Sequence, residues 1–219
     1  GTRGDSRNSP HLTIVAAAYE PMPPYVKAAE TAALAAYYAS IDPARPLQTL
    51  AYNYCLPPAE ADRFTLEERN LLLYDGIATT YVDAGGVMRM ERMVTTYKSN
   101  AAGAPDIAFL DVETLFTLMT IRHDWRDYIR RKYPRHKLAN DGTRFAPGQS
   151  VATPNLIKAE AVAKFREWEE LGLVENFEQF KADLIVERSP TDPNRLDVLM
   201  PPDVINGLRV LATKIQFRL

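Results

Sequence analysis

The chain has 219 residues, 46% of them hydrophobic and 25% charged, with 26 basic against 28 acidic side chains for a net charge of −2. That composition excludes a disordered chain and argues against a dedicated nucleic-acid binder, which carries a basic excess. No apolar run approaches the roughly 20 residues that cross a bilayer, no secretory signal opens the chain, and the single Cys55 has no partner for an intramolecular disulfide.

The start, Gly1-Thr2-Arg3-Gly4-Asp5, has no initiator Met and stays polar and turn-prone through Pro10, as expected of a piece of a longer polypeptide. Arg3-Gly4-Asp5 reads as a chance match to an adhesion motif. His11 to Ala18 is an apolar strand candidate stopped by Pro21, Pro23 and Pro24, and Tyr25 to Ser40 is an alanine-dominated helix expected to lie close against its neighbours. Leu47 to Tyr54 reads as a second strand. Thr65-Leu66-Glu67-Glu68 is a capping box opening a helix that Gly76 ends. Ile77 to Val82 and Val87 to Tyr97 are β-rich runs joined by Asp83-Ala84-Gly85-Gly86, a hairpin signal. The order β-α-β-α-β-β predicts an α/β (α+β) fold, a mixed sheet packed by helices with an antiparallel edge.

Ser99 to Pro105 is small, polar and turn-forming, and divides the chain into domains at 1–104 and 105–219. Beyond it, Asp111 is placed to cap a long amphipathic helix. Val112, Leu115, Phe116, Met119, Ile121, Trp125 and Ile129 repeat at three- and four-residue spacings, and Tyr133-Pro134 stops the helix. Thr153-Pro154 caps a second helix carrying Ile157, Ala161, Phe165, Trp168 and Leu171 to a stop at Gly172. Asn176 is placed to cap a short helix to Lys181. Leu184 to Arg188 and Arg195 to Leu199 form strands around Ser189-Pro190-Thr191-Asp192-Pro193-Asn194. The end, Leu208 to Leu219, alternates with Leu211, Ile215, Phe217 and Leu219 on one face, so the C-terminal α+β subdomain is expected to finish in an edge strand that needs a partner.

Catalytic chemistry is not written in this sequence. His11, His123 and His136 lack metal-ligand spacing, Cys55 in Tyr54-Cys55-Leu56-Pro57 has no histidine base nearby in sequence, and no glycine belongs to a phosphate-cradling loop. Glu91, Asp111, Glu113 and Asp141 are accounted for as caps and surface charges. The expectation is therefore no catalytic, cofactor-binding or metal residue. One region is charge-biased: between Arg122 and Lys137 there are seven Lys/Arg against two Asp. It reads either as the solvated back of a helix, with Asp124 and Asp127 as partners, or as a patch for an anionic partner flanked by Trp125, Tyr128 and Tyr133. A hydrolase with a hidden site, and a nucleic-acid-binding module using Arg122 to Lys137, are the rival classes.

A series of short strings in order carries a resemblance: Asp75-Gly76, Glu91-Arg92-Met93-Val94-Thr95-Thr96-Tyr97, Leu110-Asp111-Val112-Glu113-Thr114, Lys132-Tyr133-Pro134-Arg135-His136-Lys137-Leu138, Asp141-Gly142-Thr143-Arg144-Phe145, Pro147-Gly148-Gln149 and Arg195-Leu196-Asp197-Val198-Leu199. The chain resembles the tail sheath proteins of Mu-like contractile-tailed bacteriophages, in their middle and C-terminal portion. The resemblance implies a non-enzymatic virion subunit without cofactor, which self-assembles into a helical homo-oligomer around a tail tube and contracts to drive it through the host envelope. It implies tail tube protein and a baseplate or tail terminator as partners, with no membrane and no direct nucleic acid. The location it implies is the phage tail, and the host cytoplasm during assembly. Residues 105–219 would face the tube through Arg126, Arg130, Arg131 and Lys132, and would link subunits through a strand carrying Thr213, Ile215, Phe217 and Leu219.

Overall fold

In the computed structural model, which describes residues 1–217, the apolar segment after His11 narrows to a two-residue strand, β1 (Ile14–Val15). A short helix, α1 (Thr2–Asp5), precedes it. β1 runs parallel to β2 (Ile77–Val82), with Ile14 opposite Ile77 and Val15 opposite Ala78. β2 turns through Asp83–Gly86 into antiparallel β3 (Met88–Arg92), with a register irregularity between Thr79 and Thr80. The turn holds because the Asp83 carboxylate accepts from the Gly85 and Val87 amides, each at 2.9 Å, and Gly86 supplies a positive φ of 79°.

Between β1 and β2 the chain forms α2 (Pro24–Ile41) and α3 (Leu66–Tyr74). The expected capping box of α3 is present in both directions: Thr65 Oγ1 accepts from the Glu68 amide, and the Glu68 carboxylate accepts from the Thr65 amide at 2.8 Å. α2 inverts the usual pattern. Its alanines at 28, 29, 32, 33 and 36 face solvent, whereas Lys27, Glu30 and Thr31 are buried. The reason is local hydrogen bonding. Lys27 Nζ donates to the Ala16 carbonyl at 2.6 Å, to Thr80 Oγ1 at 3.0 Å and to the Glu20 carboxylate, and Glu30 accepts from the amides of Asn53, Tyr54 and Cys55.

The run expected as a second strand, Leu47 to Tyr54, lies along β3 without becoming a regular strand. Thr49 adopts a left-handed φ of 71°, which breaks the extended geometry. What remains is one bridge, Ala51 to Arg89, and hydrogen bonds such as Tyr52 amide to Met88 carbonyl at 2.9 Å. Leu47, Tyr52, Cys55, Ala78, Met88, Met90, Met93, Val94 and Val112 form the buried core here.

By compactness the chain forms two units, Gly1–Phe116 with the tail from Asn206, and Thr117–Ile205. The first change of unit falls inside α4 (Val112–Lys132), whereas the Ser99 to Pro105 linker folds as a turn in which Asn100 Oδ1 accepts from the Ala102 and Ala104 amides. The second unit contains the remainder of α4, α5 (Pro154–Glu170) and α6 (Phe177–Asp183). Its strands are paired in twos. β4 (Lys137–Leu138) is parallel to β5 (Val151–Ala152), β6 (Val174–Glu175) is antiparallel to β9 (Asp203–Val204), and β7 (Ile185–Arg188) forms a hairpin with β8 (Leu196–Leu199). The hairpin and the Thr153 cap, whose Oγ1 accepts from the Leu156 amide at 3.3 Å, match the sequence reading. Asn176 precedes α6 but does not cap it by its side chain; its amide donates to the Asp203 carboxylate at 2.6 Å and its φ is 60°. Ala161, Phe165, Trp168, Leu173, Phe180 and Leu184 form the core of this unit, with the Phe165 and Phe180 rings stacked at 4.1 Å. The fold is α+β, mixed helices with small sheets.

The expected C-terminal strand is not formed within the chain over Leu208 to Phe217. Alternation alone does not make a strand without a paired edge, and no described segment pairs with this one. Leu219 lies outside the described residues.

Candidate functional site

α4 ends at Lys132 because Pro134 pushes Tyr133 out of the helical region, and its last turn carries Arg130, Arg131 and Lys132 where cations meet the negative end of the helix dipole. Arg126, Arg130, Arg131 and Lys132 are all exposed. Lys132 differs from the other three in being held by several partners at once. Its Nζ donates to Glu160 Oε2 at 2.7 Å and to the Tyr128 hydroxyl at 2.8 Å, while the Tyr128 and Tyr133 hydroxyls also donate to Glu160, the latter at 2.6 Å. Burial pushes the Glu160 carboxyl up, but these three donors outweigh it and hold its pKa below the ordinary value. The same network raises the Lys132 pKa, and burial together with the Glu160 contact pushes the Tyr133 phenol up to about 12.

One turn earlier, the Asp124 carboxylate receives Lys164 Nζ and Trp168 Nε1, each at 2.7 Å, and Lys164 reaches Glu167 at 2.6 Å. Asp124 is thus committed to α5 instead of to the arginines of its own helix. Asp127 stands 3.9 Å from Arg126 and 3.5 Å from His123. Among the described residues Arg130 and Arg131 form no ion pair, so the basic end presents three loosely held guanidinium groups and one pinned ammonium. The aromatic residues expected to flank the patch are taken up by the fold: Tyr128 and Tyr133 by Glu160, and Trp125 half-buried beside Tyr128 at 6.2 Å. The loop that follows, from Asn140 to Ser150, is exposed throughout.

The tail carries the second set of sequence-derived residues. Ile215 and Phe217 are 91% and 80% exposed, Thr213 is exposed beside them, and Leu219 lies outside the described residues. The carboxylates considered for chemistry are taken up by ion pairs and hydrogen bonds of the fold. Glu91 receives Arg69 at 2.8 Å and Thr79 at 2.9 Å, and Asp141 accepts from the Asn155 amide. Asp111 and Glu113 do come together, around Arg209, a grouping that sequence reading missed because the residues lie almost a hundred positions apart. Cys55 is buried, and burial with the adjacent Glu30 carboxylate pushes its thiol up to about 12, far from a thiolate nucleophile. Among the described residues no three His, Cys, Asp or Glu side chains are grouped to hold a metal.

Residues 2–96 match the central domain of phage tail sheath proteins, and residues 104–218 match the phage tail sheath C-terminal domain. The chain belongs to the phage tail sheath family, a family of structural proteins and not of enzymes. It is 45% identical over 216 residues to the Mu-like prophage FluMu tail sheath protein of Haemophilus influenzae, covering 99% of this chain and 44% of that protein. The chain thus spans less than half the length of that relative. A chain in the cryo-EM structure of the anti-feeding prophage baseplate superposes with a TM-score of 0.65 over 97% of this chain and 56% of that one, at 10% identity, which shows a common fold. The crystal structure of the sheath tail protein from Desulfitobacterium hafniense has a TM-score of 0.46, covering 73% of this chain and 37% of that one at 16% identity.

Proposed function

We propose that this chain forms the central and C-terminal part of a sheath subunit that polymerises in a helical homo-oligomer around a tail tube and contracts to drive the tube through the host envelope. The observation that carries the reading is the run of two sheath domains in chain order across residues 2–218. Its partners are further copies of itself, the tail tube protein, and a baseplate or tail terminator. It resides in the virion tail and, during assembly, in the host cytoplasm. Residues 105–219 face the tube, and residues 1–104 lie further from the tube axis.

The loosely held guanidinium groups support a tube contact that must form and release. Exposed ion pairs contribute only about 0–1 kcal/mol each, so a ring of them holds the extended state without locking it. Arg126, Arg130 and Arg131 make that contact, while Lys132 contributes through its hold on Glu160. Electron microscopy of the full-length protein tests the reading. Tubular polymers are expected from the native protein. The triple variant Arg126→Glu, Arg130→Glu, Arg131→Glu is expected to fold yet fail to build extended sheath on tubes. Normal extended sheath from that variant would remove the basic group from the mechanism, and a native protein that never forms tubes would overturn the assignment itself.

A further inference from the structure

The tail is attached to the first unit over a very short stretch, and the attachment ends abruptly. At Gly207 the backbone lies so close to Pro46 that an added Cβ would sit 2.7 Å from its Cγ. Gln48 Nε2 donates to the Leu208 carbonyl at 3.3 Å, and Arg209 Nη1 donates to Gln48 Oε1 at 3.4 Å. The other arm of the guanidinium lies 3.2 Å from Asp111 Oδ1 and 3.1 Å from Glu113 Oε1. From Val210 onward the large apolar side chains are mostly exposed.

The acidic pair is itself fixed to the body. Arg92 grips Asp111 through both carboxylate oxygens, at 2.9 and 3.0 Å, and Glu113, 7% exposed, also accepts from the Leu47 amide at 2.9 Å. Asp111 is thus shared between two guanidinium groups, and with Asp111 27% and Arg209 20% exposed, solvent screens the charge left behind when Arg209 is removed. No other described residue beyond Gly207 has an ion pair to the body.

We infer that Arg209 is the positioning residue that roots the C-terminal tail on the first unit, fixing the point from which residues 210–217 leave it to reach a neighbouring subunit. The inference rests on the sheath reading for the tail's destination, but the rooting itself does not. A tail that transmits pull between subunits needs a fixed origin. A guanidinium shared between two held carboxylates resists displacement in a way that a single apolar contact cannot.

Hydrogen exchange on the unassembled full-length protein, read by mass spectrometry over residues 206–212, tests the root directly. Arg209→Ala is expected to speed exchange of that segment about tenfold or more while the body's protection and melting temperature stay close to native. Arg209→Lys is expected to restore part of the protection, and Asp111→Asn to mimic the loss. In the assembly arm, Arg209→Ala is expected to give fewer and shorter polymers than native. Unchanged exchange, native polymers despite a loosened root, or a large fall in melting temperature that makes Arg209 part of the core would each overturn the inference. Failure of the native protein to polymerise would sink the sheath reading, while the exchange measurement would still decide the root.

Discussion

Lys27 and Glu20 show how an ordinary-looking residue becomes a structural commitment. Their side chains are 2% and 4% exposed, and Glu20 Oε2 has no hydrogen-bond partner among the described residues, so the pair is held by one good contact and by the bonds of Lys27 to Ala16 and Thr80. Burial drives the Lys27 pKa down, against the pull of Glu20. Removing one member of such a pair strands a buried charge, so Lys27→Met is expected to cost about 3–5 kcal/mol in urea unfolding. The double variant Lys27→Met with Glu20→Leu is expected to regain most of that. A double variant as unstable as the single one would mean that the Ala16 and Thr80 bonds, not the stranded carboxylate, carry the cost. Nothing local marked Lys27 and Glu30 as interior residues. Charged residues in an alanine helix ordinarily face water, and only the positions of Ala16, Thr80 and the amides of 53–55 invert that.

At the scale of elements, the strongest device is the attachment of the end of α4 to α5 through Glu160. Because the Glu160 pKa is depressed in the folded protein, the stability it contributes is present above about pH 4.5 and is lost as pH falls through the folded value. Tyr133 is held neutral up to about 12 when folded, against an ordinary value of 10.0, so its contribution is present below pH 10 and is lost between there and 12. Glu160→Gln is expected to cost about 1–3 kcal/mol at neutral pH, a cost that shrinks as pH falls below the ordinary carboxyl value of 4.5 and native Glu160 takes up its proton. A cost that stays constant from pH 7 to pH 3 would show that the carboxylate charge is irrelevant. Elements with strong local signals were legible: the Thr65 and Thr153 caps, the Asp83–Gly86 hairpin, and the stop at Pro134 all appear where the residues put them. Leu47 to Tyr54 was not, because its β-favouring pattern does not reveal that Thr49 takes a positive φ. The basic run was legible as a charge bias, but the separation of Lys132 from its three neighbours depends on Glu160, a residue from another helix.

For the whole molecule, the tail decides whether the chain is a self-sufficient body or a part awaiting a neighbour. Deleting Thr213 to Leu219 from the full-length protein is expected to shift the melting temperature by no more than roughly 3 °C, since residues 213–217 are exposed and unpaired within the chain, and to abolish polymerisation. A large thermal loss in the unassembled protein would place the segment in its own core and remove it from subunit linkage. The sequence offered its clearest break at Ser99 to Pro105. That break falls between the matches to the two sheath domains, at residues 2–96 and 104–218, while compactness alone groups the chain differently, changing at Phe116–Thr117 within a continuous helix and at Ile205–Asn206.

The ion pair between Glu113 and Arg209, at 3.1 Å, joins the last acidic residue before the chain leaves the first unit to the first basic residue after it returns. By compactness the first unit is therefore discontinuous in sequence, and a charge contact joins its two parts close to where the chain leaves and returns. Closing a loop that long costs conformational entropy that grows only with the logarithm of its length. On that scaling, bringing Glu113 and Arg209 together costs only about 0.6 kcal/mol more than closing a loop half as long.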